Sequence, residues 1–469
     1  MRSHLLVACV ALVFGCGEPA PAPPKEPSAA IAAAPRLARS DAPSEEAGLS
    51  ARALDASVLP SAGSLAPDAP PSTTVVGHLD GPRRLTRLFE ALERLDDGHS
   101  HEDVRILQYG DSHTASDLGV GVFRRVLQGR FGDGGRGFVS IGKPWKTYVQ
   151  DGIRGGMTKE FEPTKVKYDK GTFTGLDGCY GLLGVGVAAS KAGARAWTTV
   201  AGRASHVDVA YAQDPRGGSF DVFVDGSRAG HVSTRATRAG SGWLGVDVAD
   251  APHEIELRAA GDGEVRVFGM NLDRAEAGVV VDALGINGAQ IDTPLRWNEA
   301  HFAEQLGHAA PELVVLAYGT NEALEPGLTD AEYQRKLVDL LGRVARAAPG
   351  SSCLLLGPPD LARHTKGQDD WKTWPRVHEI AALQRKVAEA AGCAFYDQIE
   401  AMGGPGSIVT WAAEPEPRGG KDRIHLTRRG YAHLATTFAG DLMRGYDEWR
   451  ADKGLPPTSA PRTWGVASR

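Results

Sequence analysis

Val104-Arg105-Ile106-Leu107-Gln108-Tyr109-Gly110-Asp111-Ser112-His113-Thr114 is the stretch on which the fold turns. Its first half is a short, largely apolar run without two-residue alternation, the pattern of a strand buried on both faces in a parallel sheet. It runs directly into Gly-Asp-Ser, and a helical pattern over 118–131 follows. Similar runs recur at 279–284, 313–318, 353–357 and 393–396, with helical patterns at 84–95, 332–347, 377–391 and 431–443. Strand followed by helix, repeated, predicts a doubly wound α/β layer structure.

Between the first two of these strands the rhythm breaks. Phe220-Asp221-Val222-Phe223-Val224 alternates and then meets Asp225-Gly226, a strong hairpin signal. Residues 254–257 and 264–267 alternate on either side of Gly261-Asp262-Gly263, and 208–211 fits a further strand. The expected organisation is an α/β domain in two parts, 76–156 and 276–450, with a β-sandwich inserted over 157–275. Residues 451–469 read as a surface tail, starting from about Tyr446.

The 469 residues carry a net charge of −6 and no basic block, which argues against a nucleic-acid partner. Arg2 followed by an apolar run over 5–14 reads as an export signal, too short to span a bilayer. It ends Leu12-Val13-Phe14-Gly15-Cys16, which looks like a lipoprotein signal over 1–16, with lipid attachment on Cys16 and a periplasmic, membrane-tethered protein; an ordinary cleaved signal is the alternative. Residues 17–75 lack Phe, Tyr and Trp and are dense in Pro, Ala and Ser, the composition of a disordered leash. Cys353 and Cys393 stand near the starts of two predicted strands; a disulfide and two buried thiols are both open.

Ser112 falls just past the carboxyl end of the first strand, at the sheet edge where open α/β folds bind ligands. Taken alone, Asp and Ser ahead of a helix also make an ordinary N-cap. Three further blocks bring complementary chemistry. Gly288, in Gly285-Ile286-Asn287-Gly288-Ala289, offers an unobstructed backbone N–H. Asn321, in Tyr318-Gly319-Thr320-Asn321-Glu322, offers a side-chain amide. Asp422 and His425 are three apart, the spacing for a carboxylate that orients an imidazole. An activated serine needs such a base, and a tetrahedral intermediate needs donors aimed at its oxyanion.

This constellation resembles the SGNH (GDSL-type) hydrolase family over roughly 80–150 and 276–450. The resemblance implies a flavodoxin-like three-layer fold. It makes Ser112 the nucleophile and His425 the base, oriented by Asp422. Ser112 N–H, Gly288 N–H and the Asn321 amide would form the oxyanion hole. His113 stands where many members have leucine, and Glu322 where many have aspartate. Gly110 to Thr114, Asn287 to Ala289 and Tyr318 to Ala323 are similar to the periplasmic peptidoglycan O-acetylesterases, a branch with a carbohydrate-module-like insert. The expected function is a secreted serine esterase removing O-acetyl groups from muramoyl residues of the cell wall, without cofactor or metal. An O-acetyltransferase using the same triad and an inactive lipid-anchored glycan-binding protein are the alternatives.

Other residues have plainer readings beside functional ones. His113 contacts substrate or merely holds its turn. A metal site from Asp111, His113 and His425 lacks further ligands. Trp371, Trp374 and Trp411 stack on sugars or pack locally. Asp360 touches substrate or closes a turn, and 132–137, glycine-rich after a helix, is no phosphate cradle. Trp197, Tyr211 and Trp243 are candidate glycan contacts on the insert.

Overall fold

The computed structural model describes residues 75–100, 102–166, 177–364 and 370–456. The export signal, Cys16 and most of the leash lie outside these. Five parallel strands form the main sheet: β1 (Val104–Gly110), β2 (Val279–Gly285), β3 (Leu313–Ala317), β4 (Ser352–Leu356) and β5 (Ala394–Tyr396). Their order is β5-β4-β3-β1-β2, and a short antiparallel hairpin, Val75–Val76 with Leu79–Asp80, closes the β5 edge. This is the flavodoxin-like order, which places a topological switch between β1 and β3.

The absence of alternation in these strands has its reason in two separate cores. On one face Leu107, Tyr109, Val314 and Leu316 pack beneath the helices Glu299–Ala309, α4 (Asp330–Ala347) and α5 (Pro375–Ala391). On the other, Val104, Ile106, Val281 and Val315 meet the helix Thr86–Asp96, α2 (Leu118–Phe131) and α6 (Arg428–Asp452). Alternate side chains enter opposite layers, so both sets are mostly apolar, with Arg105, Gln108 and Asp282 as buried exceptions. The chain does not become a surface tail after Tyr446. α6 continues to Asp452, because Tyr446 and Trp449 are buried and pack against Phe89 with ring centroids 5.6 and 6.0 Å away.

The intervening segment forms a nine-stranded antiparallel sheet with an apolar interior of its own. Its long strands, Arg195–Gln213 and Gly240–Ala259, pair along their length with two register shifts. Asp225 and Gly226 both take positive φ, 51° and 78°, as a type I′ hairpin requires. This sheet starts upstream of residue 157: Gly135–Val139 pairs with Val265–Asp273, and Ile153–Met157 with Arg195–Gln213. The glycine-rich run after α2 is therefore partly strand. A buried cluster joins the sheets. Arg105 on β1 reaches Asp273 at 2.7 Å and Asp282 on β2 at 3.1 Å, and Asp282 also accepts the Phe138 N–H.

Cys353 and Cys393 form a disulfide between the neighbouring strand starts of β4 and β5, with Cα atoms 4.9 Å apart.

Candidate active site

β1 ends at Gly110, and Asp111 caps a single helical turn, α1 (Ser112–Ala115), by accepting the His113 N–H at 2.9 Å. α1 rests on the end of β2, where a Cβ at Gly285 would lie 2.1 Å from the Ala115 nitrogen. Glycine at that position is what allows the serine turn to sit against the sheet edge.

Four sequence blocks meet there. The Ser112 Oγ lies 2.8 Å from His425 Nε2, and His425 Nδ1 lies 2.7 Å from Asp422 Oδ2. A carboxylate only accepts, so Nδ1 carries the proton and Nε2 is left to accept the Ser112 hydroxyl proton. The other Asp422 oxygen accepts the backbone N–H groups of Ile424 and His425, each at 3.0 Å. Partial burial raises the Asp422 pKa, and the hydrogen bonds from His425 and Ile424 outweigh it, holding the carboxyl below its ordinary value.

The Asn321 amide stands between the other two blocks. It is the second residue of α3 (Thr320–Ala323), and its Nδ2 donates to the Ala289 carbonyl at 2.9 Å and to Asp111 Oδ2 at 3.4 Å. Gly288 occupies a tight turn closed by Ala289 N–H to Ile286 O at 2.9 Å, with φ +67°, a conformation that favours glycine. Neither the Ser112 nor the Gly288 backbone N–H has an acceptor among the described residues. Free N–H groups of this kind, one of them on the serine itself, are what an oxyanion requires.

His113 has a different setting. Its Nδ1 shares a 2.9 Å hydrogen bond with the Tyr431 hydroxyl, and its ring lies 5.2 Å from that of His425. Burial, aided by the neighbouring His425, pushes its pKa down to about 3, so the imidazole is neutral at neutral pH. A cavity of about 60 Å³ lies beside it, walled by Asp111, His113, Phe123, Tyr431 and Phe438.

Three contacts escaped sequence reading. Trp145 donates its indole N–H to Asn287 Oδ1 at 3.1 Å, setting an aromatic ring beside the Gly288 turn. Glu322 accepts the N–H groups of Ile291 at 2.6 Å and Gly319 at 3.0 Å, joining the ends of two blocks. Arg423, inside the Asp422–His425 loop, takes φ +57° and stacks its guanidinium over Trp371. A non-glycine residue at positive φ in this loop was the available signal, and it is visible only in the backbone.

Residues 239–433 match the family model described as GDSL-like Lipase/Acylhydrolase family. That stretch is similar to a GDSL-like acylhydrolase domain. The acylhydrolase match begins inside the second sheet and leaves out Ser112, which the insert separates from the remaining blocks. A structure of a peptidoglycan O-acetylesterase is similar over 77% of this chain and 96% of its own, at 26% identity and a TM-score of 0.64. Family two carbohydrate esterases from Clostridium thermocellum, in complex with cellohexaose, and from Cellvibrio japonicus also match. They share 12% and 11% identity, cover 57% and 63% of this chain and 95% and 98% of their own, and have TM-scores of 0.24 and 0.25. No curated protein sequence matches.

Proposed function

We propose that this acylhydrolase is an exported serine esterase that removes O-acetyl groups from peptidoglycan, through an acetyl-Ser112 intermediate. The observation that carries the reading is the unbroken chain Ser112 Oγ, His425 Nε2, His425 Nδ1, Asp422 Oδ2 at the switch point of the sheet. In the proposed reaction His425 takes the Ser112 proton as Oγ attacks the acetyl carbonyl. Ser112 N–H, Gly288 N–H and the Asn321 amide hold the oxyanion, and His425 returns the proton to the departing sugar hydroxyl. Water, deprotonated by His425, then releases acetate and restores Ser112.

Likeness to the peptidoglycan O-acetylesterase structure supports the substrate class. The intact hydrogen-bonded triad weighs against the binding-only reading. Water rather than a sugar acceptor is favoured because the His425 and Asp422 side chains are 44% and 50% exposed, leaving the base open to solvent. The Cys353–Cys393 disulfide suits an oxidising compartment, which supports export.

Acetate release from O-acetylated peptidoglycan tests the proposal. Wild type should release it, and Ser112→Ala should lose all but a trace. Release by both proteins would remove Ser112 from the mechanism. Transfer of acetyl to added glycan in place of hydrolysis would establish the transferase.

A further inference from the structure

Between β4 and α5 the chain makes a small antiparallel hairpin, Ala362–His364 with Trp371–Thr373. Its register sets Arg363 directly opposite Lys372. Directly opposed like charges repel, and a hairpin normally avoids the pairing. Both side chains are exposed, and neither forms an ion pair with a described carboxylate. Asp370, two residues before Lys372, pairs with neither. By contrast, Arg376 and Arg385 nearby each hold two carboxylates. Arg363 instead lies over the Trp374 ring, its guanidinium carbon 4.6 Å from the centroid.

The hairpin bridges two blocks of the active site. On one side the Ala362 N–H donates to the Arg423 carbonyl at 2.9 Å, and Arg423 stacks on Trp371 at 5.1 Å, two residues from His425. On the other, the Trp374 indole donates to the Ala323 carbonyl at 2.6 Å, two residues from Asn321. Arg423 spends its hydrogen bonds on the Gly420 and Lys421 carbonyls, and Lys421 is exposed. The carboxylate inside this loop, Asp422, is already committed to His425. Arg363, Lys372, Lys421 and Arg423 thus make a cationic rim without a counter-charge among the described residues.

We propose that this rim binds a carboxylate of the glycan, Arg363 through its planar fork and Lys372 as a point charge, and so selects acid-bearing over neutral acetylated polysaccharides. The proposal rests on the esterase reading and names the substrate class within it. In peptidoglycan the carboxylate belongs either to the stem peptide or to the lactyl group that remains once the peptide is removed.

Binding by the Ser112→Ala protein tests the rim independently of turnover. Calorimetry would compare peptidoglycan fragments with stem peptides, the same fragments after amidase treatment, and acetylated xylan. Adding Arg363→Gln and Lys372→Gln should lower the preference for acid-bearing fragments over xylan by about fivefold, the effect of two partly exposed charge contacts. The preference of the Ser112→Ala protein itself should shrink as salt rises from about 0.05 to 0.5 M, because exposed charges are screened. A preference that survives amidase treatment assigns the lactyl carboxylate, and one that disappears assigns the peptide. Equal preference with and without the two cations, or no salt dependence, overturns the proposal. Should the substituted protein fail to fold, the salt dependence decides alone. Absence of acetate release by wild type would count against the esterase reading and leave these binding comparisons standing.

Discussion

At the scale of single residues, the Asp422–His425 pair sets the tautomer on which the serine depends. Asp422→Asn keeps the shape but turns an acceptor into an amide able to donate, so Nδ1 loses its reason to hold the proton. The expected outcome is a fall in kcat of about 10³–10⁴-fold on 4-nitrophenyl acetate, with KM little changed. A loss of less than about tenfold would show that the carboxylate does not fix the imidazole. Because the Asp422 carboxyl is held below its ordinary value, it should stay ionised, and keep its hold on the imidazole, in mild acid. The pair was legible in the sequence because a three-residue spacing within one loop leaves the two side chains few other places to go. The setting of His113 was not, since its partner Tyr431 lies 318 positions away. That contact depends on how α6 packs against the turn, which no local pattern records.

Elements hold these residues in register, and Glu322 shows how. Its two oxygens clamp the N-terminus of α3 to the segment after the Gly288 turn, so Asn321 and Gly288 move as one unit. Burial raises the Glu322 pKa to about 8, so the folded state holds a proton there that the unfolded chain gives up near pH 4.5. Stability from this group is therefore full below about pH 4.5 and is lost as pH rises to about 8. Glu322→Gln should flatten the slope of Tm against pH across that window, and an unchanged slope would place the titration elsewhere. The motif containing Glu322 was readable, but its clamping role needed the spatial meeting of two strand ends. The strand and helix pattern of the parallel sheet was readable because burial on both faces leaves an apolar signature. The start of the inserted sheet was obscured because Gly135 and Gly137 carry no side chains to show which face is buried, and both take positive φ.

At the scale of the whole molecule, Cys353 and Cys393 stand 40 positions apart, and the chain between them contains the cationic hairpin and all of α5. The disulfide closes this loop at the opposite end of β4 and β5 from the active-site edge, leaving the hairpin bounded by a covalent tie and its contacts with Arg423 and Ala323. Closing a loop of that length removes enough freedom from the unfolded chain to contribute about 4 kcal/mol of stability. The Cys353→Ser/Cys393→Ser protein should therefore unfold at a lower denaturant concentration, and oxidised wild type should converge on it when reductant is added. Ser112-dependent hydrolysis of 4-nitrophenyl acetate at low temperature should persist in both, because none of the hydrogen bonds of the triad crosses the disulfide. A difference below about 1 kcal/mol would mean that the unfolded chain keeps these two strands together without the bond. The larger value would tie folding to an oxidising compartment, since the protein made where thiols stay reduced would forgo much of the ~5–15 kcal/mol that ordinarily separates folded from unfolded chains.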